Sequence, residues 1–201
     1  MINRFRASRP LRFSLFALAL GLGFSLPVLP GLLKSDDFYG FQQDRSVWQN
    51  LKNYGSLASR DDVYTFVMFG FLDCEQTCPA HLGNMVSLNR LIPDDSVQFL
   101  FVSVDPENDT PQELDAVIGA MGERFHWHRP ETRSHAQMMA LEAGEVVSVA
   151  ATADIKEIDH SGRLYLVGRG GKSVITYTST RLKLNRVKDD VSRLVALESG
   201  S

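Results

Sequence analysis

The only two cysteines of the 201-residue chain lie close together in the stretch FGFLDCEQTCPAHL, residues 69–82. Cys74 and Cys78 have three residues between them and follow directly on an apolar run. Two neighbouring thiols can form a disulfide, act as a redox couple or bind a soft metal ion such as copper. A disulfide here would close a very small loop and add little stability. The pair therefore indicates redox chemistry or metal binding rather than a structural crosslink.

Two thiolates are enough for Cu(I), whereas Cu(II) commonly takes an imidazole as well. The chain has five histidines. We expect His81, in the first turn of the helix after the cysteines, on an exposed face that points away from them. We expect His126 and His128 on a solvated strand edge around a packed Trp127, and His135 on the surface of another helix. None of these four is expected to join the cysteines.

The residues on either side of the cysteines predict a strand, a helix and a second strand. Residues 63–71 and 97–104 are nearly continuous apolar runs, typical of strands covered on both faces. Pro79 suits the first turn of the helix between them, which ends at Pro93. This order is a βαβ unit with a parallel sheet. The cysteine loop then lies at the carboxyl edge of the sheet and at a helix N-terminus, where thiolate is favoured.

The remainder of the chain predicts further helices and strands. The TPQE stretch at 110–113 predicts a helix start with a capping box, and Ser134 with Gln137 predicts a second box. The other predicted elements are a short strand, a hairpin around a Gly-rich turn and a final amphipathic helix, at residues 145–150, 163–178 and 185–198. The order of these elements predicts an α/β domain of the thioredoxin-like fold, with a central mixed sheet flanked by helices.

In such a fold, the loop that enters the first strand of the hairpin faces the loop that carries the cysteines. Thioredoxin-type oxidoreductases place a cis-proline there, but the chain has no proline after Pro130. His160 and Ser161 occupy this region instead. The sequence therefore predicts Cys74, Cys78 and His160 as the ligands of one metal ion. The alternative for His160 is a hydrogen-bonded loop histidine.

The redox interpretation of the cysteine pair stays open. Redox pairs of the thioredoxin type have two intervening residues, and this pair has three. A disulfide can still form if the Cα atoms come within roughly 7 Å of each other, and Cys74 and Cys78 would then be catalytic. Asp73 and Glu75 are expected to raise the thiol pKa of Cys74. They also argue against a thiol peroxidase, which needs a positive charge beside the thiolate.

The first 33 residues predict a membrane anchor. Four arginines precede 21 uncharged residues at 13–33, and a bilayer span needs about 20 residues. Arginines before the span keep the N-terminus in the cytoplasm. We expect a single span in a bacterial-type inner membrane with the domain in the periplasm, or a free periplasmic protein if this segment is cleaved. Residues 34–62 are expected to form a linker or divergent N-terminal extension, with a short helix at 46–54 as one interpretation, and residues 63–201 the folded domain.

The charge distribution argues against nucleic acid as a partner. The chain has 21 basic and 24 acidic residues, and the first 33 residues hold four of the basic ones and none of the acidic ones. The rest therefore carries 17 basic against 24 acidic residues, a formal charge of −7. Nucleic-acid binding requires basic stripes instead.

Three stretches resemble the Sco/SenC family of copper-binding proteins, which are involved in assembling the Cu(A) centre of cytochrome c oxidase. They are FGFLDCEQTCP, FVSVDPENDTPQEL and IDHSGRLYLVGRGGK, in the order of the family and over about residues 63–177. The resemblance implies copper ligation by Cys74, Cys78 and His160, with Asp159 orienting His160. It also implies a membrane-tethered copper chaperone whose partner is a cytochrome c oxidase subunit or another copper acceptor protein.

The chain departs from the family pattern near the cysteines. Family members commonly have proline after the first cysteine, where this chain has Glu75. Asp105 and Asp109 match family positions near the site, and a turn and helix-start pair explains them equally well. The alternatives to the chaperone are a thiol–disulfide oxidoreductase that keeps the cysteines of a metalloprotein partner reduced and an interaction module in which the cysteines are incidental.

Overall fold

The computed structural model describes residues 38–43, 63–93, 95–151, 156–171 and 174–199. They belong to one compact unit, Phe38–Ser201. The predicted anchor at 1–33 and the helix considered at 46–54 lie outside the described residues. Within the described ranges, no helix is long and apolar enough to cross a membrane.

The strands of the described residues are β1 Phe41–Gln43, β2 Tyr64–Gly70, β3 Val97–Ser103, β4 Phe125–His128, β5 Val147–Ala151, β6 Lys156–His160, β7 Leu164–Val167 and β8 Val174–Tyr177. Six of them form a mixed sheet in the order β1-β8-β7-β2-β3-β4. Strands β2, β3 and β4 run parallel, while β7 pairs antiparallel with β2, β8 with β7, and β1 with β8. Strands β5 and β6 form a separate antiparallel pair.

Helices cover both faces of the six-stranded sheet. Every residue of β2 and β3 is buried, as expected for strands packed on two sides. The helices are α1 Thr77–Leu91, α2 Pro111–Val117, α3 Arg133–Glu142 and α4 Leu184–Ser199. Side chains of α1, α2 and α4 share one core cluster, and side chains of α3 contribute to the second. The predicted mixed sheet flanked by helices and the βαβ unit at the cysteines are confirmed.

The two predicted capping boxes have different outcomes. Thr110 and Glu113 cap α2 reciprocally, as predicted. The box predicted from Ser134 and Gln137 is wrong. The cap of α3 is Thr132, whose extended backbone lets its hydroxyl accept a hydrogen bond from the backbone N–H of His135 at 3.2 Å. Two capping residues stand near this helix start, and the sequence alone did not indicate which one the backbone uses.

Strand β6 was not predicted. Its sequence, KEIDH, is mostly charged, and a two-stranded ribbon outside the main sheet does not require a continuous apolar run. It pairs with β5, which lies where a short strand was predicted. His160 is the last residue of β6 rather than part of a loop, and residues 161–163 connect it to β7.

Residues 38–43 belong to the sheet domain, although they lie within the stretch expected to be a linker or extension. Strand β1 pairs with β8. The buried Asp190 of α4 accepts hydrogen bonds from the backbone N–H of Tyr39 at 2.8 Å and of Gly40 at 3.0 Å. A Cβ on Gly40 would lie 2.3 Å from the Ile175 side chain, so this close approach requires glycine.

Candidate metal centre

The cysteine loop connects the end of β2 to the start of α1. Cys74 lies in the loop and its backbone N–H donates to the Phe71 carbonyl at 3.2 Å. Cys78 is the second residue of α1. Cys74 is 9% exposed and Cys78 is 2% exposed. A Cβ on Gly70 would lie 2.7 Å from the Cys78 sulfur, so the glycine that ends β2 leaves room for the inner thiol.

The end of β6 brings His160 to the two thiols. The His160 Nε2 atom lies 3.6 Å from the Cys74 Sγ and 3.4 Å from the Cys78 Sγ. The three potential ligand atoms lie within 4.8 Å of one another, and among the described residues they are the one such group of three or more. The structure thus brings together the three residues that the sequence predicted as metal ligands.

Backbone and side-chain contacts fix the orientation of the His160 ring. The Gly162 N–H donates to His160 Nδ1 at 3.2 Å, so the opposite nitrogen, Nε2, faces the thiols. Thr77 Oγ1 lies 3.3 Å from Nε2, and the Phe71 ring meets the imidazole edge-on with 6.0 Å between ring centroids. The Gly162 backbone is left-handed, with φ of +55°, and a Cβ there would lie 2.9 Å from the Thr77 Cβ.

The two thiols have opposite pKa shifts. Burial raises the pKa of Cys74, but hydrogen bonds to its sulfur from the Cys78 thiol, His160 and the backbone amides of Cys78 and Gln76 outweigh burial and lower the pKa to about 6. Burial and the hydrogen bond with Cys74 raise the pKa of Cys78. The expectation that the adjacent acids raise the Cys74 pKa is therefore wrong. Asp73 and Glu75 are exposed, and local hydrogen bonds outweigh charges in solvent.

Asp109 ties the cysteine loop to the end of β3. Its carboxylate accepts from the Leu72 N–H at 3.0 Å and from the Ser103 hydroxyl at 2.6 Å. Asp105 accepts from the Arg133 guanidinium at 3.0 Å and from the Asn108 side chain. Both aspartates are buried. Neither belongs to the group formed by the Cys74 and Cys78 thiols and the His160 imidazole, which we call the thiol–imidazole group. They act as structural supports beside the site, and Asp109 touches the cysteine loop directly.

His81 is not the exposed helix residue that the sequence predicted. It is 1% exposed, and its Nε2 lies 3.0 Å from the Gly162 carbonyl oxygen. Its position three residues after Cys78 was the available signal, because residues at that spacing share a helix face. Glu145 also holds the segment that follows His160, and no feature of the sequence indicated this role. It is buried and accepts from the Arg163 N–H at 3.0 Å and the Tyr165 hydroxyl at 2.9 Å.

The remaining histidines stand apart from the thiols. His126 and His128 lie on β4, an edge strand of the six-stranded sheet, and are half-buried. The Trp127 between them donates to the Asp115 carboxylate at 2.8 Å. His135, in the first turn of α3, is half-buried too. The backbone of Asp159 pairs with Ser148 in the β5–β6 ribbon. The structure describes the backbone of Asp159 and not its side chain, so the role of Asp159 in orienting His160 stays a prediction.

The donor set defines the chemistry available at this centre. Two sulfurs and one imidazole nitrogen suit soft or borderline ions, with copper and zinc as the leading candidates. The thiolate form of Cys74 is available at neutral pH because of its lowered pKa. The same two thiols can instead be oxidised to a disulfide, since both are free. The geometry fits a copper ion and also permits thiol redox chemistry.

Comparison with known proteins places these features in a family. The family model described as SCO1/SenC matches residues 48–196. The chain is 27% identical over 148 residues to the SCO1 protein homolog of Bacillus subtilis, covering 71% of this chain and 74% of that protein. It is 28% identical over 137 residues to the mitochondrial SCO2 homolog of Danio rerio, covering 63% of this chain and 45% of that protein.

Solved structures of Sco proteins share the fold. Apo Sco1 of Thermus thermophilus has a TM-score of 0.61 at 23% identity, over 82% of this chain and 99% of that one. ScoI of Bradyrhizobium japonicum with copper bound has a TM-score of 0.58 at 22% identity, over 68% and 88%. BsSco, a member of the Sco family of cytochrome c oxidase assembly proteins with a disulfide switch, has a TM-score of 0.54 at 23% identity, over 66% and 80%.

Proposed function

The chain belongs to the SCO1/SenC family, and from this membership we propose that it is a copper chaperone. Copper is its cargo, held by Cys74, Cys78 and His160, and the recipient is a cytochrome c oxidase subunit with a Cu(A)-type centre. The observation that carries the proposal is the approach of His160 Nε2 to both sulfurs, at 3.6 and 3.4 Å. Further support comes from the copper-bound ScoI that shares the fold and from the description of BsSco as an oxidase assembly protein.

The donor set supports binding of copper in both oxidation states. Two thiolates alone satisfy Cu(I), and the imidazole adds the borderline nitrogen donor that Cu(II) commonly takes. His160 is neutral when it binds through Nε2, so the proton on that nitrogen leaves as the metal enters. Removal of His160 should therefore affect Cu(II) far more than Cu(I).

The unequal exposure of the thiols gives transfer a direction. Cys74 is the more exposed thiol and has the lowered pKa, whereas Cys78 is 2% exposed. An incoming thiolate from the recipient reaches copper from the Cys74 side. In this scheme the ion stays bound to Cys78 while Cys74 is replaced by a ligand of the recipient, so that copper is never released to solvent.

Copper binding is tested with the reduced full-length protein, loaded anaerobically with Cu(I) and separately with Cu(II). We expect one copper per chain and a sulfur-to-Cu(II) charge-transfer band in the wild type. The His160→Ala variant should lose this band and tight Cu(II) binding but retain Cu(I) on two thiolates. His126→Ala is the matched control, since His126 lies on an edge strand outside the thiol–imidazole group. Unchanged Cu(II) affinity in His160→Ala would refute the three-ligand site.

Delivery is tested separately from binding. The copper-loaded protein is mixed with a metal-free, reduced soluble domain of an oxidase subunit that carries a Cu(A) site, and copper in each protein is measured after separation. Appearance of copper in the acceptor, absent when the acceptor cysteines are alkylated, supports delivery. If this protein keeps all of its copper, delivery to a Cu(A) site is refuted, and the protein binds copper for a different recipient.

Tethering to a membrane is part of the proposal and rests on the sequence of residues 1–33 alone. Four arginines followed by 21 uncharged residues favour a single span with the folded domain in the periplasm. In a Gram-negative host, the full-length protein should fractionate with the inner membrane and be digested when protease is added to spheroplasts. Recovery in the soluble periplasmic fraction would indicate a cleaved leader instead.

The thiol pair also favours a second candidate function, reduction of a disulfide in the metal-accepting partner. A more exposed thiol of lowered pKa beside a buried thiol of raised pKa is the arrangement of a thiol–disulfide reductase. The Cys74 thiolate attacks one sulfur of the partner disulfide and displaces one partner thiolate. Cys78 then loses its proton and attacks the Cys74 sulfur, which forms the Cys74–Cys78 disulfide and releases the second partner thiolate. The protein supplies both electrons.

Disulfide exchange is measured with a disulfide-linked peptide and the reduced protein without metal. If the protein is a reductase, His160→Ala should retain exchange at a reduced rate, because the hydrogen bond from His160 helps to lower the pKa of Cys74. Cys74→Ser and Cys78→Ser should each abolish formation of the intramolecular disulfide. A wild-type protein that binds copper tightly but does not reduce the peptide would exclude this second function.

A further inference from the structure

His81 is an unusual residue for its position in the core. It is 1% exposed on α1, and the side of α1 that carries it also carries Cys78. Its Nε2 faces the Gly162 carbonyl oxygen at 3.0 Å, and because a carbonyl only accepts, this nitrogen carries the proton and donates. Its Nδ1 is buried and has no hydrogen-bond partner among the described residues. An apolar residue would avoid the cost of that unpaired nitrogen, so the Nε2 contact is the reason for a histidine here.

The Gly162 carbonyl belongs to the short segment that places His160. The Gly162 N–H donates to His160 Nδ1 at 3.2 Å, while the carbonyl of the same residue accepts from His81. One glycine therefore joins the two imidazoles. Gly162 also lies directly against Thr77, where a Cβ would approach to 2.9 Å. The segment is thus held on the first turns of α1, the same part of the helix that carries Cys78.

Contacts on the other side of this segment do not reach the cysteines. Glu145 accepts from the Arg163 N–H at 3.0 Å and from the Ser161 hydroxyl. The Ser161 N–H donates to the Val146 carbonyl at 3.1 Å. These bonds tie residues 161–163 to the start of the β5–β6 ribbon. Within the described residues, the hydrogen bond from His81 is the side-chain bond that ties the Gly162 backbone to the cysteine helix.

We infer that His81 is a positioning residue for the metal centre: by holding the Gly162 carbonyl on α1, it sets the distance between the His160 imidazole and the two thiols. The inference rests on the proposed function for its copper readout, but the geometry it describes exists without metal. His81 itself is not one of the three potential ligands. Loss of the His81 side chain should weaken the part of copper binding that depends on His160 and leave copper binding by the two thiolates intact.

The test uses a pair of variants that differ in the hydrogen-bond donor. His81→Met keeps a side chain of similar length without an N–H, and His81→Gln restores an N–H donor at a similar reach. Asn84→Ala is the matched control. Asn84 lies on α1 too and donates from its side chain to a distant backbone carbonyl, that of Thr180, at 2.9 Å. Removal of that bond should leave residues 160–162 in place, because the bond joins α1 to Thr180 and not to that segment.

The first readout is the His160 ring in the metal-free full-length protein, observed by long-range proton–nitrogen NMR. In the wild type, Nδ1 accepts from Gly162, so the proton should reside on Nε2. In His81→Met, the ring nitrogen shifts of His160 should move towards the average of the two tautomers, and the Gly162 amide should shift. His81→Gln and Asn84→Ala should match the wild type. Unchanged His160 shifts in His81→Met would overturn the inference.

The second readout is Cu(II) binding, followed by titration and by electron paramagnetic resonance. His81→Met should bind Cu(II) about 10-fold more weakly, with reduced nitrogen hyperfine coupling and unchanged Cu(I) binding, and His81→Gln should recover both. Equal Cu(II) affinity in His81→Met and the wild type would contradict the inference. If the wild type binds no copper, the proposed function fails, and the NMR comparison still decides whether His81 positions His160.

Discussion

At the scale of single residues, the centre depends on which atoms face the two thiols. His160 presents Nε2 to both sulfurs because its other nitrogen accepts from Gly162. Gly162 can reach that place because it is left-handed at φ of +55° and has no Cβ to meet Thr77. The pKa of Cys74 is lowered by hydrogen bonds that the fold assembles around its sulfur, against the effect of burial.

Substitution of Gly162 by alanine should disturb both stability and the metal centre. The new Cβ would lie 2.9 Å from the Thr77 Cβ, and the left-handed backbone adds strain, so we expect a loss of about 1–3 kcal/mol in the free energy of unfolding. Cu(II) affinity should fall as well because His160 moves with the segment. Urea unfolding and Cu(II) titration measure these effects.

The control for this substitution is Gly83→Ala. Gly83 lies on α1, and apart from the adjacent backbone of that helix no atom lies within 4 Å of a Cβ built on it. Alanine should therefore leave the centre unchanged and increase stability by up to about 1 kcal/mol. A Gly162→Ala variant as stable as the wild type, with equal Cu(II) affinity, would show that the segment does not constrain His160.

The thiol asymmetry predicts selective alkylation of the metal-free reduced protein. Thiolate is the reactive form, so the rate of Cys74 alkylation by iodoacetamide should rise with pH and reach half its maximum near pH 6, the pKa of Cys74. Cys78, buried and with a raised pKa, should stay unmodified at pH 7 in the folded state. Peptide mass spectrometry measures both sites. A midpoint for Cys74 near the ordinary thiol pKa of about 8.5 would contradict the hydrogen-bonded geometry.

At the scale of elements, three separate pieces of the chain meet at the centre. The β2–α1 loop brings Cys74, the first turn of α1 brings Cys78, and the end of β6 brings His160. Asp109, in the turn before α2, ties the first of these to the end of β3 through the Leu72 N–H and the Ser103 hydroxyl. The VDPENDTP stretch therefore holds the cysteine loop through Asp109 and contributes no ligand to the thiol–imidazole group.

Replacement of Asp109 by alanine should loosen the cysteine loop. The partly buried Leu72 N–H and the buried Ser103 hydroxyl would lose their acceptor, so we expect destabilisation by about 1–3 kcal/mol. Amide hydrogen exchange at Leu72 should accelerate, whereas exchange within β3 should change only as much as global stability does. Asp115→Ala is the control, since Asp115 is an exposed acid that contacts the edge-strand Trp127. Slow exchange of the Leu72 amide in Asp109→Ala would disprove this anchoring role.

At the scale of the whole molecule, the two ends of the described domain are tied together by hydrogen bonds to one buried carboxylate. Asp190 of α4 is buried and accepts from the Tyr39 and Gly40 amides and from the Tyr177 hydroxyl at 3.0 Å. These bonds hold β1 against β8 and connect positions 151 and 150 residues apart in the chain. The domain therefore begins before residue 63, where the sequence placed its start.

Replacement of Asp190 by alanine should reduce global stability without changing the centre. The partly buried amides of Tyr39 and Gly40 and the buried Tyr177 hydroxyl would lose their acceptor, and we expect a loss of about 1–3 kcal/mol in the free energy of unfolding. Urea denaturation measures this loss, and Cu(II) affinity in the folded state should stay as in the wild type. Asp189→Ala is the matched control because Asp189 is the exposed neighbour on the same helix. Equal stability of the two variants would show that β1 is not anchored through Asp190.

The sequence by itself predicted most of the helices and strands and the three residues that the fold brings together as the thiol–imidazole group. Continuous apolar runs predicted β2 and β3, capping residues predicted α2, and the lack of a proline near His160 pointed to a ligand there. These features are local, because each depends only on the types and order of residues that are neighbours in the chain. The Sco/SenC motifs led to the same Cys74, Cys78 and His160, and the family match followed.

Only the tertiary structure decided how these residues are held. The buried position of His81 and the role of Glu145 arise from contacts between segments distant in the chain. The lowered pKa of Cys74 arises from hydrogen bonds within its own loop and from the distant His160. Spacing along one helix cannot show that a β6–β7 connection will lie against it. A thiol pKa likewise depends on the balance of burial and hydrogen bonds in three dimensions, and that balance reversed what the charges of Asp73 and Glu75 alone predicted.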